Sequence, residues 1–131
     1  MGKLNSKVKQ LLEETKPWVL STCGEEPNAI PVFFTALQDD SLVLFDVFMN
    51  KTLDNLQKNN NVAVTVFDST TLQGYQLKGK GTYSTNSILL EKGNAATSKF
   101  NLTAKGTLIV EVEIAYVLTP GPDNGKTCSE I

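Results

Sequence analysis

TLIVEVEIAYV, from Thr107 to Val117, is the most regular segment of this 131-residue sequence. Its large apolar residues fall at every second position, and Glu111 and Glu113 fall at positions between them. A period of two places successive side chains on opposite faces of a strand, so one face of this strand is buried and the other meets water. The segment predicts a long antiparallel strand, and its two glutamates are expected to face Lys78 and Lys80 on a neighbouring strand.

Five other segments carry a strand signal, and short polar turns separate most of them. They are Trp18–Cys23, Ala29–Leu37, Ser41–Val47, a strand that begins at Val62, and Gly74–Tyr83. Helical patterns occur at Ser6–Lys16, at Asn50–Leu56 and at Ser87–Lys92, the last with Gly93 as a stop. Six strands in consecutive order predict a mainly β protein, a six-stranded antiparallel β-barrel with short flanking helices.

The chain is predicted to form a single domain over residues 1–131, with a turn-rich tail at residues 118–131. Gly79 and Gly81 share the buried face of the fifth strand, which indicates a sharp bend or the close approach of another element, as at a barrel corner. Pro31 interrupts the second strand. Because proline cannot donate a ladder hydrogen bond, Pro31 indicates an edge strand or a bulge.

Composition excludes several classes of function. The net charge is −2 and the pI is near 5.1, so there is no surplus of basic residues for binding nucleic acid. No apolar run approaches the roughly 20 residues that a membrane-spanning helix needs, and residues 1–16 lack the apolar core of a signal peptide. We therefore expect a cytoplasmic protein that binds neither nucleic acid nor membrane.

The sequence contains no His and no Arg. His-based acid–base chemistry, His triads and His-containing metal sites are therefore excluded. Any bound anion must be held by Lys, hydroxyl groups and backbone amides. The two cysteines, Cys23 and Cys128, lie at opposite ends of the chain and match no metal or redox motif, so we expect free thiols.

DVFMNKTLDNL, from Asp46 to Leu56, reads as the end of a strand followed by the start of a helix. Asn50 is a suitable N-cap, and the two leucines form an inward face. Lys51 and Thr52 then lie in the first turn, among free N–H groups and at the positive end of the helix dipole. A lysine there costs ~0.3–1 kcal/mol, and a bound anion would reverse that cost. Two interpretations stand at this point, an anion site and a solvated surface lysine.

Several motifs together resemble the pyridoxamine 5′-phosphate oxidase-like FMN-binding split barrels, most closely the small bacterial FMN-binding proteins of that superfamily. The motifs are Pro31-Val32, the Lys-Thr-x-x-Asn pattern at Lys51–Asn55, and the spacing of Gly74 and Gly79. The resemblance extends from Leu4 to Val117. It implies a split β-barrel, FMN as the cofactor, and a homodimer with FMN at or near the interface. It also implies a role in electron transfer or as a small flavin-dependent oxidoreductase.

The resemblance implies four groups of cofactor-binding residues and no catalytic residue. The FMN phosphate is expected at the helix start, on Asn50, Lys51 and Thr52, with Asn55 of the same motif as a further cofactor-binding residue. The ribityl chain and ring are expected to lie against Asp46, Val47, Phe48 and Met49. The isoalloxazine is expected along the second strand, at Ile30, Pro31 and Val32. Gln73 and Gly74 are expected to complete the pocket against the partner subunit, with Trp18 and Tyr75 as candidate ring neighbours.

The missing Arg and His are departures from the family pattern, because oxidases of this family that act on pyridoxamine phosphate usually bring both residues to the substrate phosphate. Vitamin B6 oxidase activity is therefore not expected. Two other hypotheses stand beside FMN-based electron transfer. One is a flavin- or deazaflavin-dependent oxidoreductase with its own small substrate, and the other is a cofactor-free split-barrel dimer that senses a ligand or mediates an interaction. The sequence does not identify the redox partner or substrate.

Overall fold

The computed structural model describes residues 4–130, in which an antiparallel sheet is accompanied by short helices. The strands are β1 (Trp18–Cys23), β2 (Pro27–Val32), β3 (Thr35–Gln38), β4 (Ser41–Asp46), β5 (Asn61–Phe67), β6 (Gly74–Ser84) and β7 (Gly106–Val117). The α-helices are α1 (Ser6–Glu14), α2 (Asn50–Lys58) and α3 (Ser87–Thr97). Single 3₁₀ turns occur at Ser98–Phe100 and Cys128–Glu130. No helix in residues 4–130 is long and apolar enough to cross a membrane.

The strand order within the described chain is β2-β1-β5-β6-β7-β4-β3, and every pairing is antiparallel. The outermost strands β2 and β3 are consecutive in sequence, and only Phe33 and Phe34 separate them. A flat seven-stranded sheet would be ~29 Å wide, whereas the link from Val32 to Thr35 spans at most ~11 Å. The sheet must therefore curl until its edges approach each other. The predicted split β-barrel is confirmed, with seven strands instead of six.

The predicted strand Ala29–Leu37 is in fact two strands on opposite edges of the sheet. The chain bends at Phe33 and Phe34 to pass from one edge to the other, and β4 then pairs with the distant β7. The predicted second strand therefore pairs with the first through β2 and with the third through β3, at opposite edges of the sheet. The prediction from Pro31 is confirmed, because β2 is an edge strand and pairs only with β1.

Helix α1 fills one side of the curled sheet. The Asn5 side chain caps it by accepting a hydrogen bond from the Val8 N–H at 3.0 Å, and Pro17 follows its end. The apolar side chains of α1 are buried in the main core, together with the fully buried Trp18. The indole N–H of Trp18 donates to the Leu12 carbonyl at 3.0 Å, so the buried ring leaves no unpaired polar group.

Gly79 lies at a β-bulge whose extra residue is Glu113 of β7, and the predicted close approach of another element is confirmed. The β6–β7 register shifts between Lys78 and Gly79, and a Cβ on Gly79 would lie 2.0 Å from the Glu111 carbonyl oxygen. The shift places Lys80 opposite Glu111 but Lys78 opposite Ile114. The predicted lysine–glutamate pairing is therefore right in register for one pair only.

Although Lys80 and Glu111 lie opposite each other, each side chain bonds to a different residue. The Lys80 amine donates to the Asn61 side chain, and the Glu111 carboxylate accepts from the Ser41 hydroxyl at 2.9 Å. Cross-strand hydrogen bonds to neutral side chains take the place of the expected ion pair, and exposed charges gain little from direct contact.

Helix α3 does not stop at Gly93 but continues to Thr97. A Cβ on Gly93 would lie 2.4 Å from Cδ1 of Phe45, so the glycine makes room for that ring. The ring belongs to a second, smaller core between α3 and the sheet, around Val43, Phe45 and Ala104. The prediction of Gly93 as a helix stop is wrong, since its role is in packing.

The tail folds back onto β7. The Val117 N–H donates to the Lys126 carbonyl at 2.9 Å, and the Gly125 N–H donates to the Val117 carbonyl at 2.8 Å. Cys128 then packs against the main core, and this burial raises the pKa of its thiol. Both cysteines are free, and Cys23 is exposed.

Thr107 is expected to limit stability, because its hydroxyl is buried and has no hydrogen-bond partner within residues 4–130. An unsatisfied buried polar group costs ~1–3 kcal/mol, whereas an apolar group of the same shape does not. Thr107→Val should therefore raise the free energy of unfolding by about 1 kcal/mol in urea denaturation. Thr107→Ser is the matched control, because it keeps the hydroxyl and should not stabilise. A destabilised Thr107→Val variant would mean that the hydroxyl has a bound partner.

Candidate functional site

Asp46, the last residue of β4, orders the turn that leads into α2. Its Oδ1 accepts a hydrogen bond from the Met49 N–H at 2.9 Å, and its Oδ2 accepts one from the Tyr83 hydroxyl at 2.6 Å. The Asp46 side chain is fully buried, and its bond to Met49 is buried while its bond to Tyr83 is partly buried. Each is a bond to a buried carboxylate, which is among the stronger kinds in proteins. The turn therefore has a defined shape before any ligand binds.

Helix α2 begins at Asn50 as predicted, but Asn50 is not its N-cap. Met49 occupies the cap position and its side chain makes no cap bond. Its backbone N–H donates a hydrogen bond to the carboxylate of Asp46, three residues earlier in the chain. The Asn50 Oδ1 accepts a hydrogen bond from Lys105 Nζ at 3.3 Å. Lys105 therefore joins Lys51 as a second cation near this helix end, where the sequence pointed to Lys51 alone.

An apolar cleft of about 320 Å³ lies between β2 and the β4–α2 turn. Its size is at the lower end of the range for small-molecule sites. Its lining is apolar throughout and consists of Ile30, Pro31, Val32, Phe33, Phe34, Phe45, Val47, Phe48, Met49 and Leu102. Six of the predicted cofactor-binding residues meet here, the three of β2 and the three that precede α2. The cleft can accept a flat apolar group and offers no ionisable side chain to it.

A polar cleft of about 370 Å³ continues along the same two elements. It is lined by Glu25, Glu26, Pro27, Asn28, Lys51, Asp54, Asn55 and Lys58. The strand β2 contributes Asn28 to the polar cleft and Ile30 to the apolar cleft. At the start of α2, Lys51 lines the polar cleft and Met49 lines the apolar cleft. The two clefts are therefore neighbours, and a ligand with an apolar ring and an anionic end could occupy both.

Thr52 is buried and faces β2. Its hydroxyl oxygen accepts a hydrogen bond from Asn28 Nδ2 at 3.2 Å. One turn later, Asn55 Nδ2 donates to the Thr22 hydroxyl at 3.2 Å and to the Glu26 carbonyl at 3.1 Å. These side chains fix α2 to β1 and β2. The exposed members of the predicted phosphate group are Asn50 and Lys51, and Asn50 is already bonded to Lys105.

The structure does not bring every predicted site residue to the clefts. Asp46 lies behind the apolar cleft, with both carboxylate oxygens bonded to the chain itself. Gln73 and Gly74 border a different depression, beside Val117 and Thr119. The expectation that they complete the pocket of a partner subunit stays a prediction. Trp18 is fully buried and lines neither cleft, and Tyr75 borders the same depression as Gln73.

Sequence reasoning missed eleven residues that border the clefts or the helix start. They are Glu25, Glu26, Pro27, Asn28, Phe33, Phe34, Phe45, Asp54, Lys58, Leu102 and Lys105. The adjacent phenylalanines could have been noticed as an apolar pair beside Pro31. Leu102 and Lys105 carry no local signal, because they reach the site only through the pairing of β7 with β4.

Residues 4–119 match the family model described as pyridoxamine 5′-phosphate oxidase. The match covers most of the chain and includes every residue of the two clefts. The chain belongs to the pyridoxamine 5′-phosphate oxidase family. An uncharacterized protein of Methanocaldococcus jannaschii is 33% identical over 87 residues, which are 65% of this chain and 58% of that protein. The aligned segment thus spans less than two thirds of that relative.

Solved structures share the same fold. HupZ of Group A Streptococcus has a TM-score of 0.79 to this chain at 21% identity, with 93% of this chain and 99% of that one covered. A protein of Syntrophomonas wolfei, described as FMN-binding, has a TM-score of 0.71 at 14% identity, with 86% and 89% covered. Identities this low establish the fold alone, so this chain shares its architecture with a protein described as FMN-binding.

Proposed function

We propose that this protein binds FMN non-covalently in the two adjoining clefts, and that it acts in electron transfer or as a small flavin-dependent oxidoreductase. The observation that carries the proposal is the position of an apolar cleft directly beside the first turn of α2. FMN has the matching chemistry, since a flat, largely apolar ring system is joined through a ribityl chain to a phosphate. The FMN-binding relative and the family match support the same assignment.

The phosphate end suits the start of α2. The first turn of a helix offers unpaired backbone N–H groups and the positive end of the helix dipole. Lys51 is exposed there, and Lys105 reaches the first helical residue, Asn50. No arginine is available, so two lysines and the amides supply the positive potential. We propose that the Thr52 hydroxyl also contacts the phosphate while it accepts its bond from Asn28.

The ring end suits the apolar cleft. Pro31 lies on the edge strand β2 and has no N–H to donate, while the β1–β2 ladder runs unbroken through Val32. The cleft contains no ionisable side chain among the described residues, so its walls bind and orient a ring and exclude water. FMN supplies the electron-accepting and electron-donating chemistry when bound, and the protein supplies binding, orientation and the surrounding dielectric.

We also propose that the protein is a homodimer with FMN at or near the interface. Phe33 is 60% exposed and Phe48 is 72% exposed, and both border the apolar cleft. Exposed aromatic side chains that adjoin one another are typical of surfaces covered by a partner. A second copy that covers them would also close the ring end of the site, where Gln73 and Gly74 of that copy are the proposed contacts.

The test is a titration of the purified protein with FMN and, separately, with riboflavin, which lacks the phosphate. We expect flavin absorbance in the protein as purified, with FMN identified by mass spectrometry of the released ligand. We also expect FMN to bind at least tenfold more tightly than riboflavin, since a charged group with several donors contributes about that much. Colourless protein that takes up no FMN at micromolar concentration would instead favour a cofactor-free ligand-sensing or interaction dimer.

The electron donor, acceptor or small substrate is a separate question. Substrate-dependent bleaching of bound FMN would identify an oxidoreductase, and reversible reduction by a protein partner would identify a carrier. We expect no oxidation of pyridoxamine 5′-phosphate, because the chain has no Arg or His to bind a substrate phosphate beside the ring. Measurable vitamin B6 oxidase activity would contradict that expectation.

A further inference from the structure

The residue pair Tyr83 and Asp46 connects three strands beside the start of α2. Tyr83 belongs to β6 and Asp46 to β4, and β7 lies between these two strands. The Tyr83 side chain crosses β7 at Gly106, which is the residue directly opposite Asp46 in the β4–β7 ladder. A Cβ on Gly106 would lie 2.2 Å from the Tyr83 hydroxyl oxygen. The glycine therefore leaves the room that the phenol needs to reach Asp46 at 2.6 Å.

The other end of this connection is the amide that precedes α2. Asp46 uses its second carboxylate oxygen to hold the Met49 N–H at 2.9 Å, and Met49 occupies the N-cap position. The Met49 carbonyl then accepts the first hydrogen bond of the helix, from the Leu53 N–H at 2.8 Å. A continuous chain of hydrogen bonds thus runs from β6 to the first turn of α2. Of the residues in this chain of hydrogen bonds, Tyr83 and Asp46 border neither cleft, whereas Met49 borders the apolar cleft.

We propose that Tyr83 is a positioning residue that, through Asp46, sets the first turn of α2 relative to β2 and so sets the phosphate-binding part of the site. The inference rests on the proposed FMN site and deepens it. Tyr83 itself touches no ligand. Without its hydroxyl, Asp46 loses one of its two donors, and the turn that carries Met49 can shift away from β2. A shift of that turn moves the amides after it, which includes the N–H groups of Lys51 and Thr52.

Burial, the hydrogen bond to Asp46 and the negative charge of Asp46 all raise the pKa of Tyr83. The phenol therefore keeps its proton throughout the pH range in which a cytoplasmic flavoprotein would work. The connection is a permanent structural device and not a pH switch.

The test compares Tyr83→Phe with the wild type in titrations with FMN and with riboflavin. We expect the ratio of FMN affinity to riboflavin affinity to fall roughly tenfold, as for the loss of one hydrogen bond to a charged group. A merely structural role would lower the two affinities in the same proportion and leave the ratio unchanged, which would overturn the proposal. Combining Tyr83→Phe with Lys51→Ala should give less than the sum of the two effects, because both act on the same phosphate.

Tyr116→Phe is the matched control. It removes a hydroxyl from a half-buried tyrosine of β7 and should leave the affinity ratio unchanged. Amide hydrogen exchange gives a second readout that does not depend on flavin. Tyr83→Phe should accelerate exchange at Met49 relative to both the wild type and Tyr116→Phe. If the wild type binds no flavin, the proposed function fails, and unchanged Met49 exchange would then overturn the positioning role as well.

Discussion

Gly79→Ala is expected to lower the free energy of unfolding by about 3 kcal/mol and the melting temperature by roughly 10 °C. The added Cβ would lie 2.0 Å from the Glu111 carbonyl oxygen and 2.8 Å from its carbonyl carbon. Those atoms belong to the backbone of β7, so they cannot move without breaking the β6–β7 ladder at its bulge. Thermal and urea denaturation of the two proteins measure the effect.

Gly81→Ala is the matched control on the same strand. Its Cβ would meet Cδ1 of Leu108 at 3.0 Å, which is the end of a flexible side chain that can rotate away. We expect a loss of only about 1 kcal/mol for this variant. Equal losses at the two positions would show that side-chain crowding, and not the close approach of two backbones, governs this part of β6.

Lys51→Ala is expected to weaken FMN binding about tenfold while riboflavin affinity stays the same. Lys51 is exposed at the first turn of α2, so its contribution is a charge-assisted bond partly screened by water. Equilibrium titrations with both flavins measure the effect. An unchanged FMN affinity would remove Lys51 from the site, and a parallel loss for riboflavin would mean that the variant has disturbed the cleft and not the phosphate.

Lys58→Ala separates local contact from general electrostatics. Lys58 lines the same polar cleft and carries the same charge, but it lies in the last turn of α2 and pairs with Glu25 at 2.6 Å. We expect its loss to change FMN affinity by less than twofold, because an exposed pair far from the helix start contributes little. Equal effects of the two lysines would indicate long-range attraction instead of a defined phosphate site.

Sequence patterns were sufficient where the deciding interactions are local. The alternation in Thr107–Val117 gave a strand with the expected bounds within one residue, and Gly79 marked the bulge. The helix start at Asn50 followed from the end of an apolar run. The identity of its cap did not, because Asp46 lies three residues upstream and is held by Tyr83 from another strand.

Interactions between distant parts of the chain explain the remaining errors. Phe33 and Phe34 continue an apolar run, so nothing in their neighbourhood indicates that the strand ends and the chain crosses to the opposite edge. Glycine is common where helices end, so Gly93 indicated a helix stop. Its role in packing depends on the Phe45 ring, which is distant in sequence. The contact of Thr52 with the FMN phosphate stays a prediction, but the hydrogen bond from Asn28 to its hydroxyl could not be foreseen, because it depends on how α2 lies across β2.

The pairing of β4 with β7 also determines when the site can form during folding. Ser41 and Glu111 are 70 residues apart in sequence, and their contact closes the longest loop in the sheet's ladder. Long loops cost more entropy to close and slow the folding of β-rich domains. Until β7 is in place, Asp46 lacks its opposite residue Gly106, and Tyr83 has no strand to cross. The turn before α2 is therefore expected to become ordered late, after the hairpin of β5 and β6, and a truncated chain that ends before β7 should contain strands but no organised site.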